Sequence, residues 1–192
     1  MVDVKVGVLA LQGDYHKHRE TLKRLGVDPA LVRTPDEVRE LDGLIIPGGE
    51  STTVGKLMRR YGVDEAILEK VEQGMALYGT CTGLILMAKD IEDSDQFRLG
   101  LLDITIRRNA FGRQIDSFET DLRIDEFGPE PLHAVFIRAP YITEIRDGVQ
   151  SLAEIDGKSV FVRKGKLLAS AFHPELTDDT RMHEYFLGTI KS

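Results

Sequence analysis

The sequence predicts an α/β fold: a mostly parallel sheet between layers of helix, with antiparallel strands added in the second half. Three observations carry this. The first half alternates short apolar runs with amphipathic stretches four times, the pattern of a doubly wound sheet. Those runs are nearly continuous in apolar residues, as parallel strands covered on both faces must be. From residue 101 onward the runs alternate instead and are separated by turn residues, as antiparallel strands are.

Residues 4–11 make the first strand. Asp14 is placed to cap a helix carrying Tyr15, His18, Leu22 and Leu25 on one face and closing at Gly26. Residues 29–32 form a short second strand, and Thr34-Pro35-Asp36 opens a helix through Val38 and Leu41. Gly43-Leu44-Ile45-Ile46 is the third strand, stopped by Pro47-Gly48-Gly49. Ser51 or Thr52 caps the next helix, in which Val54, Leu57, Met58 and Tyr61 recur at helical spacing. A further helix through Ile67 and Val71 ends at Gly74. Met75-Ala76-Leu77-Tyr78 is the fourth strand, and Leu84-Ile85-Leu86-Met87-Ala88 is a buried helix after a sharp turn. Residues 91–100 are polar and read as loop.

Strands follow at 102–106, 118–124, 134–137, 151–155, 159–163 and 166–172, with hairpin turns at Asp156-Gly157 and Lys164-Gly165. Thr177 caps a last helix that buries Met182, Tyr185, Phe186 and Ile190. No linker or repeat interrupts the chain, so residues 1–192 are expected as one domain, a flavodoxin-like three-layer αβα sandwich.

Composition excludes more than it identifies. The 192 residues carry 25 basic and 32 acidic side chains, a net charge of −7, which argues against nucleic acid or an anionic membrane as partner. No apolar run reaches the roughly 20 residues needed to cross a bilayer. The N-terminus enters a strand pattern directly, without the features of a signal peptide. A single cysteine makes no internal disulfide, so a cytoplasmic protein is expected.

That cysteine is where chemistry points. Cys81 lies between Gly79 and Gly83 at the strand-to-helix turn, the spacing of the G-x-S-x-G elbow with sulfur in place of hydroxyl. A helix start there favours the thiolate. A thiol nucleophile needs a base and a group to orient it. His16 and His18 sit among charged helix residues and read as solvated, His183 beside Glu184 reads as exposed, and His133 has no evident partner. His173 follows a buried strand and precedes Pro174-Glu175, so base and orienting carboxylate leave the strand end in a fixed relation. The Pro47-Gly48-Gly49-Glu50 loop fits neither the Walker nor the dinucleotide pattern. It suits an oxyanion hole, with backbone N–H groups from Gly49 and Thr82. Arg107-Arg108-Asn109-Ala110-Phe111-Gly112-Arg113-Gln114 reads as a basic segment laid over a substrate carboxylate or a partner, and Arg138 stands at another strand end.

Cys81 in Gly-Thr-Cys-Thr-Gly, Phe-His-Pro-Glu at 172–175 and the Pro-Gly-Gly loop together resemble the triad glutamine amidotransferases. Gly7-Val8-Leu9-Ala10-Leu11-Gln12-Gly13, Pro47-Gly48-Gly49-Glu50-Ser51-Thr52-Thr53, the Arg108 to Gln114 loop and Phe136-Ile137-Arg138-Ala139-Pro140 narrow the resemblance to the glutaminase subunits of pyridoxal 5′-phosphate synthases, over nearly the whole chain. Thr82 departs from the alanine more usual there. The resemblance implies a Cys81-His173-Glu175 triad, an oxyanion hole of Gly49 and Thr82, and L-glutamine bound at Gly49, Glu50, Ser51, Arg108, Ile137 and Arg138. It implies no metal or cofactor. It also implies a separate synthase subunit with a (β/α)8 barrel that takes up the ammonia, and weak activity until that subunit docks. The rivals are the glutaminase subunit of another synthase, such as imidazole glycerol phosphate synthase, a non-enzymatic flavodoxin-like module, and a thiol protease or redox sensor. The Arg108 loop disfavours the first, and the intact Cys81, His173 and Glu175 set the second. The Phe-His-Pro-Glu arrangement disfavours the third.

Overall fold

The computed structural model describes residues 4–108 and 117–192. Five strands lie side by side and parallel: β2 (Ala30–Val32), β1 (Val6–Leu9), β3 (Gly43–Ile46), β4 (Ala76–Thr80) and β12 (Leu167–Ser170). Beyond β12 the sheet continues through β11 (Lys158–Lys164), β9 (Tyr141–Ile145), β6 (Leu102–Arg107) and β5 (Ala88–Ile91). These pairings are antiparallel except β5 with β6. β10 (Gln150–Ile155) pairs with β11 across the expected Asp156-Gly157 turn, and β7 (Ser117–Leu122) with β8 (Leu132–Ile137) forms a separate hairpin.

The helices are α1 (Tyr15–Arg24), α2 (Pro35–Arg39), α3 (Ser51–Tyr61), α4 (Val63–Glu72), α5 (Thr82–Met87) and α6 (Arg181–Lys191). The chain steps one way from β1 to β2 and the other way from β2 to β3. Right-handed crossovers therefore set α1 and α2 on opposite faces. α4 packs on α2, and α3 packs on both α4 and α5, so these share one face. α6 packs on β4 and meets α1 on the other. This is the three-layer sandwich expected. Among the described residues, no helix is long and apolar enough to cross a membrane.

Several local expectations are corrected. β5 and β9 were not anticipated: each is a part-exposed strand, too polar to stand out as an apolar run. Glu50, not Ser51 or Thr52, caps α3, its carboxylate accepting the N–H groups of Thr52 and Thr53. Thr180, not Thr177, precedes α6, because the chain first makes a short 3-10 turn at Pro174–Leu176. Tyr61 is exposed, since α3 ends there at a left-handed Gly62. The largest errors concern histidines. His16 is exposed, but His18 and His183 are both fully buried, where α1 and α6 meet. His133 is exposed but paired with Glu119 and Asp121 across the β7–β8 hairpin.

The turn at Cys81 has the strain expected of an elbow. Its φ of 49° and ψ of −95° fall outside the regions open to a residue with a side chain. Neighbouring backbones close in as well. A Cβ on Gly79 would lie 2.5 Å from the carbonyl carbon of Gly83, and one on Gly83 would lie 2.5 Å from the carbonyl oxygen of Ile46. Only glycine fits at either place. Because strain resides in the Cys81 torsion, Cys81→Gly is expected to be more stable than Cys81→Ala by about 1 kcal/mol. Urea titration of both variants checks this, and equal midpoints would mean an unstrained turn.

Candidate active site

Strands β1, β3, β4 and β12 are neighbours, so the loops at their carboxyl ends converge. They bring together Gln12-Gly13, residues 48–51, Cys81 and His173 around a cleft of about 410 Å³. Thr82, Arg108, Ile137 and Arg138 complete the expected lining. Of the ten residues singled out from sequence, only Glu175 does not line it, because it is buried behind His173.

His173 Nδ1 is 2.7 Å from Glu175 Oε1, and both side chains are almost wholly buried. The backbone fixes this pair: His173 N–H donates to Val135 C=O at 2.8 Å, and Pro174 opens the 3-10 turn that returns Glu175 toward the ring. Gly48 presses on the ring as well, where a Cβ would lie 2.4 Å from Cε1 of the imidazole. Burial works against charge on His173, but hydrogen bonds with Cys81 and Glu175 outweigh it and raise the imidazolium to about 10. Burial likewise pushes Glu175 up, yet His18 and His173 hold its carboxyl below the ordinary value. The thiol itself lies 4.0 Å from the carbonyl oxygen of Ile137. Imidazole and carboxylate are thus joined directly, and the thiol lines the same cleft as the imidazole, a grouping suited to nucleophilic attack on a carbonyl carbon.

The second wall differs from expectation. Gly49 N–H does not point freely into the cleft: it donates to the Thr82 hydroxyl at 3.1 Å, and that hydroxyl donates back to Gly49 C=O at 2.5 Å. Thr82 therefore occupies the donor that the oxyanion hole was expected to use. The carboxylate of Glu50 is also engaged, accepting from Thr52 and Thr53 through both backbone and hydroxyl groups. These bonds hold its pKa down to about 2. Glu50 lines the cleft with its carboxylate already committed to α3.

Arg108 Nη1 donates to Gln96 Oε1 at 2.7 Å, and Gln96 meets the Ser51 hydroxyl at 3.2 Å. Gln96 was missed because residues 91–100 read only as polar loop. Gln12 was missed as a side chain: its Oε1 accepts Glu50 N–H at 2.8 Å and ties the first loop to the third strand's. Arg138 has a φ of 42° and, like Cys81, holds a strained backbone at the cleft. Residues 109–114 of the basic loop lie outside the described residues. Asp14, His173 and Glu175 bring ligand atoms within 4.8 Å of one another, and two of these residues are joined by the imidazole–carboxylate hydrogen bond.

Comparison with known proteins gives the family. Residues 8–192 match the model of the SNO glutamine amidotransferase family. The pyridoxal 5′-phosphate synthase subunit PdxT of Carboxydothermus hydrogenoformans is 54% identical over 187 residues, 97% of this chain and 98% of that protein. PdxT of Thermus thermophilus is also 54% identical, over 184 residues and 95% of each. A solved glutamine amidotransferase superposes with a TM-score of 0.92 at 51% identity, covering 97% of this chain and 99% of that one. PurLQS of Thermotoga maritima, at 16% identity and a TM-score of 0.70, shares the fold. With a family match over almost its full length and relatives above half identity, this chain belongs to the SNO glutamine amidotransferases.

Proposed function

We propose that this chain is the glutaminase subunit of a pyridoxal 5′-phosphate synthase, releasing ammonia from L-glutamine for a (β/α)8-barrel synthase subunit. The observation that carries the reading is the bonded His173–Glu175 pair past the end of β12, whose imidazole lines one cleft with Cys81 at the end of the neighbouring β4, with the imidazolium favoured. The relatives' shared name as pyridoxal 5′-phosphate synthase subunits favours this synthase over imidazole glycerol phosphate synthase.

In the proposed reaction the Cys81 thiolate adds to the side-chain amide carbon of glutamine, and the carbonyl oxygen takes the negative charge. His173 gives its proton to the departing nitrogen, so ammonia leaves and a glutamyl thioester remains. His173, held by Glu175, then takes a proton from water, which adds to the thioester carbon. Glutamate departs and the thiol is restored. Thr82 N–H, next after the nucleophile, and Gly49 N–H supply the oxyanion hole. Ser51, Arg108 and Arg138 line the cleft and are assigned to the α-amino and α-carboxylate groups of glutamine, with arginine matching the carboxylate on charge. Glu50 and Ile137 shape the same wall.

The Thr82 bridge adds a restraint of this chain's own to the site. Gly49 N–H must leave the Thr82 hydroxyl before it can receive an oxyanion. Thr82→Ala removes the restraint, and partner-free glutamate production is expected to rise about fivefold, the worth of one hydrogen bond. An unchanged or lower rate would show that the bridge restrains nothing. Glutamate formation with and without the barrel subunit tests the function itself. The wild-type chain should turn over only with the subunit, and Cys81→Ala should bind it with no turnover. Full-rate hydrolysis by Cys81→Ala would refute the mechanism.

A further inference from the structure

Glu175 has a second oxygen that the proposed reaction does not use. Oε1 meets His173, whereas Oε2 is buried, lacks a well-aligned hydrogen bond and lies 3.3 Å from Nε2 of His18. His18 is itself completely buried on α1. Its Nε2 is also 3.2 Å from the Thr80 hydroxyl, and its Nδ1 is 2.9 Å from Nε2 of His183 on α6. Two buried imidazoles therefore stand in line behind the carboxylate, away from the cleft.

Their protons can be placed by elimination. Burial holds His18 below its ordinary value, and burial together with His18 holds His183 down to about 3, which favours the neutral ring at both. Each then carries one N–H. If His183 donates from Nε2 to His18 Nδ1, His18 presents Nε2–H to Glu175 Oε2 and the Thr80 hydroxyl. Nδ1 of His183, buried without a partner, is then a bare acceptor nitrogen. The reverse arrangement buries an unpaired N–H at that position and turns the His18 lone pair against the carboxylate. A buried unpaired donor is the rarer and costlier defect. The first arrangement wins.

We propose that His18 is a positioning residue of the active site: its Nε2–H holds the second oxygen of Glu175 and so keeps the carboxylate turned toward His173, with His183 fixing the His18 tautomer. The proposal rests on the Cys81-His173-Glu175 reading. The titratable groups around it are His173 beyond Glu175, His183 on α6, Asp14 before α1, and Tyr78 on β4, with Arg24 acting on His183. Tyr78, raised by burial, stays neutral and adds no charge.

The sign of the effect follows. Without the His18 donor, burial of Glu175 is less opposed and its carboxyl rises, so the acid limb of activity moves up in pH. A carboxylate free to turn away from His173 raises it less, so the alkaline limb moves down. His18→Leu keeps apolar volume and removes the donor, whereas His18→Gln returns an N–H near the place of Nε2. Glutamate formation is followed against pH in the complex with the barrel subunit, with melting temperature and complex formation as controls. His18→Leu is expected to lose about tenfold in kcat at neutral pH with little change in KM, and to narrow the active range by about one pH unit on each side. His18→Gln should recover most of both. If the leucine variant fails to fold, His18→Asn, whose amide is too short to reach, replaces it against His18→Gln. A folded, complexed variant without the donor that keeps the wild-type kcat and pH profile overturns the proposal, as does a glutamine variant no better than the donor-free one. Cys81→Ala, run alongside, separates the two ideas: if it still hydrolyses glutamine, the triad reading fails, whatever His18 does.

Discussion

Cys81 is held at a backbone torsion it would not choose, and the bond that holds it runs to the neighbouring strand. Its N–H donates to Ser170 C=O at 2.8 Å, at the end of the β4–β12 pairing, while its own C=O accepts Ile85 N–H to start α5. Three residues after Ser170 comes His173. One parallel pairing therefore sets both Cys81 and His173, the base proposed for it, and any slip in register between β4 and β12 would move them apart. The strain costs about 1–3 kcal/mol, which the two flanking strands and the tight Gly79–Gly83 approach must offset.

Charge is organised from the same place. A carboxylate as buried as Glu175 would ordinarily prefer its proton, since removing an ion from water costs several kcal/mol. Imidazole N–H groups on two sides reverse that preference, and the ionised carboxylate in turn sustains the imidazolium of His173. The opposite wall is arranged for restraint. Thr82 and Gly49 satisfy one another, so Gly49 N–H, the donor proposed for the oxyanion, remains occupied. The departure from alanine at residue 82 thus has a structural meaning that its identity alone did not reveal.

What the sequence made legible follows physical rules. Cys81, His173 and Glu175 were readable because each is announced by its neighbours: glycines two residues either side of the thiol, proline directly after the histidine. The parallel strands were readable because burial on both faces leaves unbroken apolar runs, as in Gly43–Ile46. β5 and β9 were not, because half of each strand faces water. His18 was misread despite its own periodicity. It falls four residues before Leu22, on the inward face of α1, but His16, Lys17 and Arg19 around it suggested solvent. His183 was hidden for a related reason: its burial depends on α6 meeting α1, a tertiary fact with no local signature. Gln96 belongs with these, since a polar residue in a polar loop reveals nothing until Ser51 and Arg108 are beside it.

The central claim is that Cys81 attacks glutamine, and the covalent intermediate tests it most directly. In rapid-quench mass spectrometry of the wild-type chain mixed with its barrel subunit and L-glutamine, a glutamyl adduct should build up and decay on the peptide containing Cys81. An adduct on another residue, or steady ammonia release with no adduct on Cys81 at any quench time, would contradict the account.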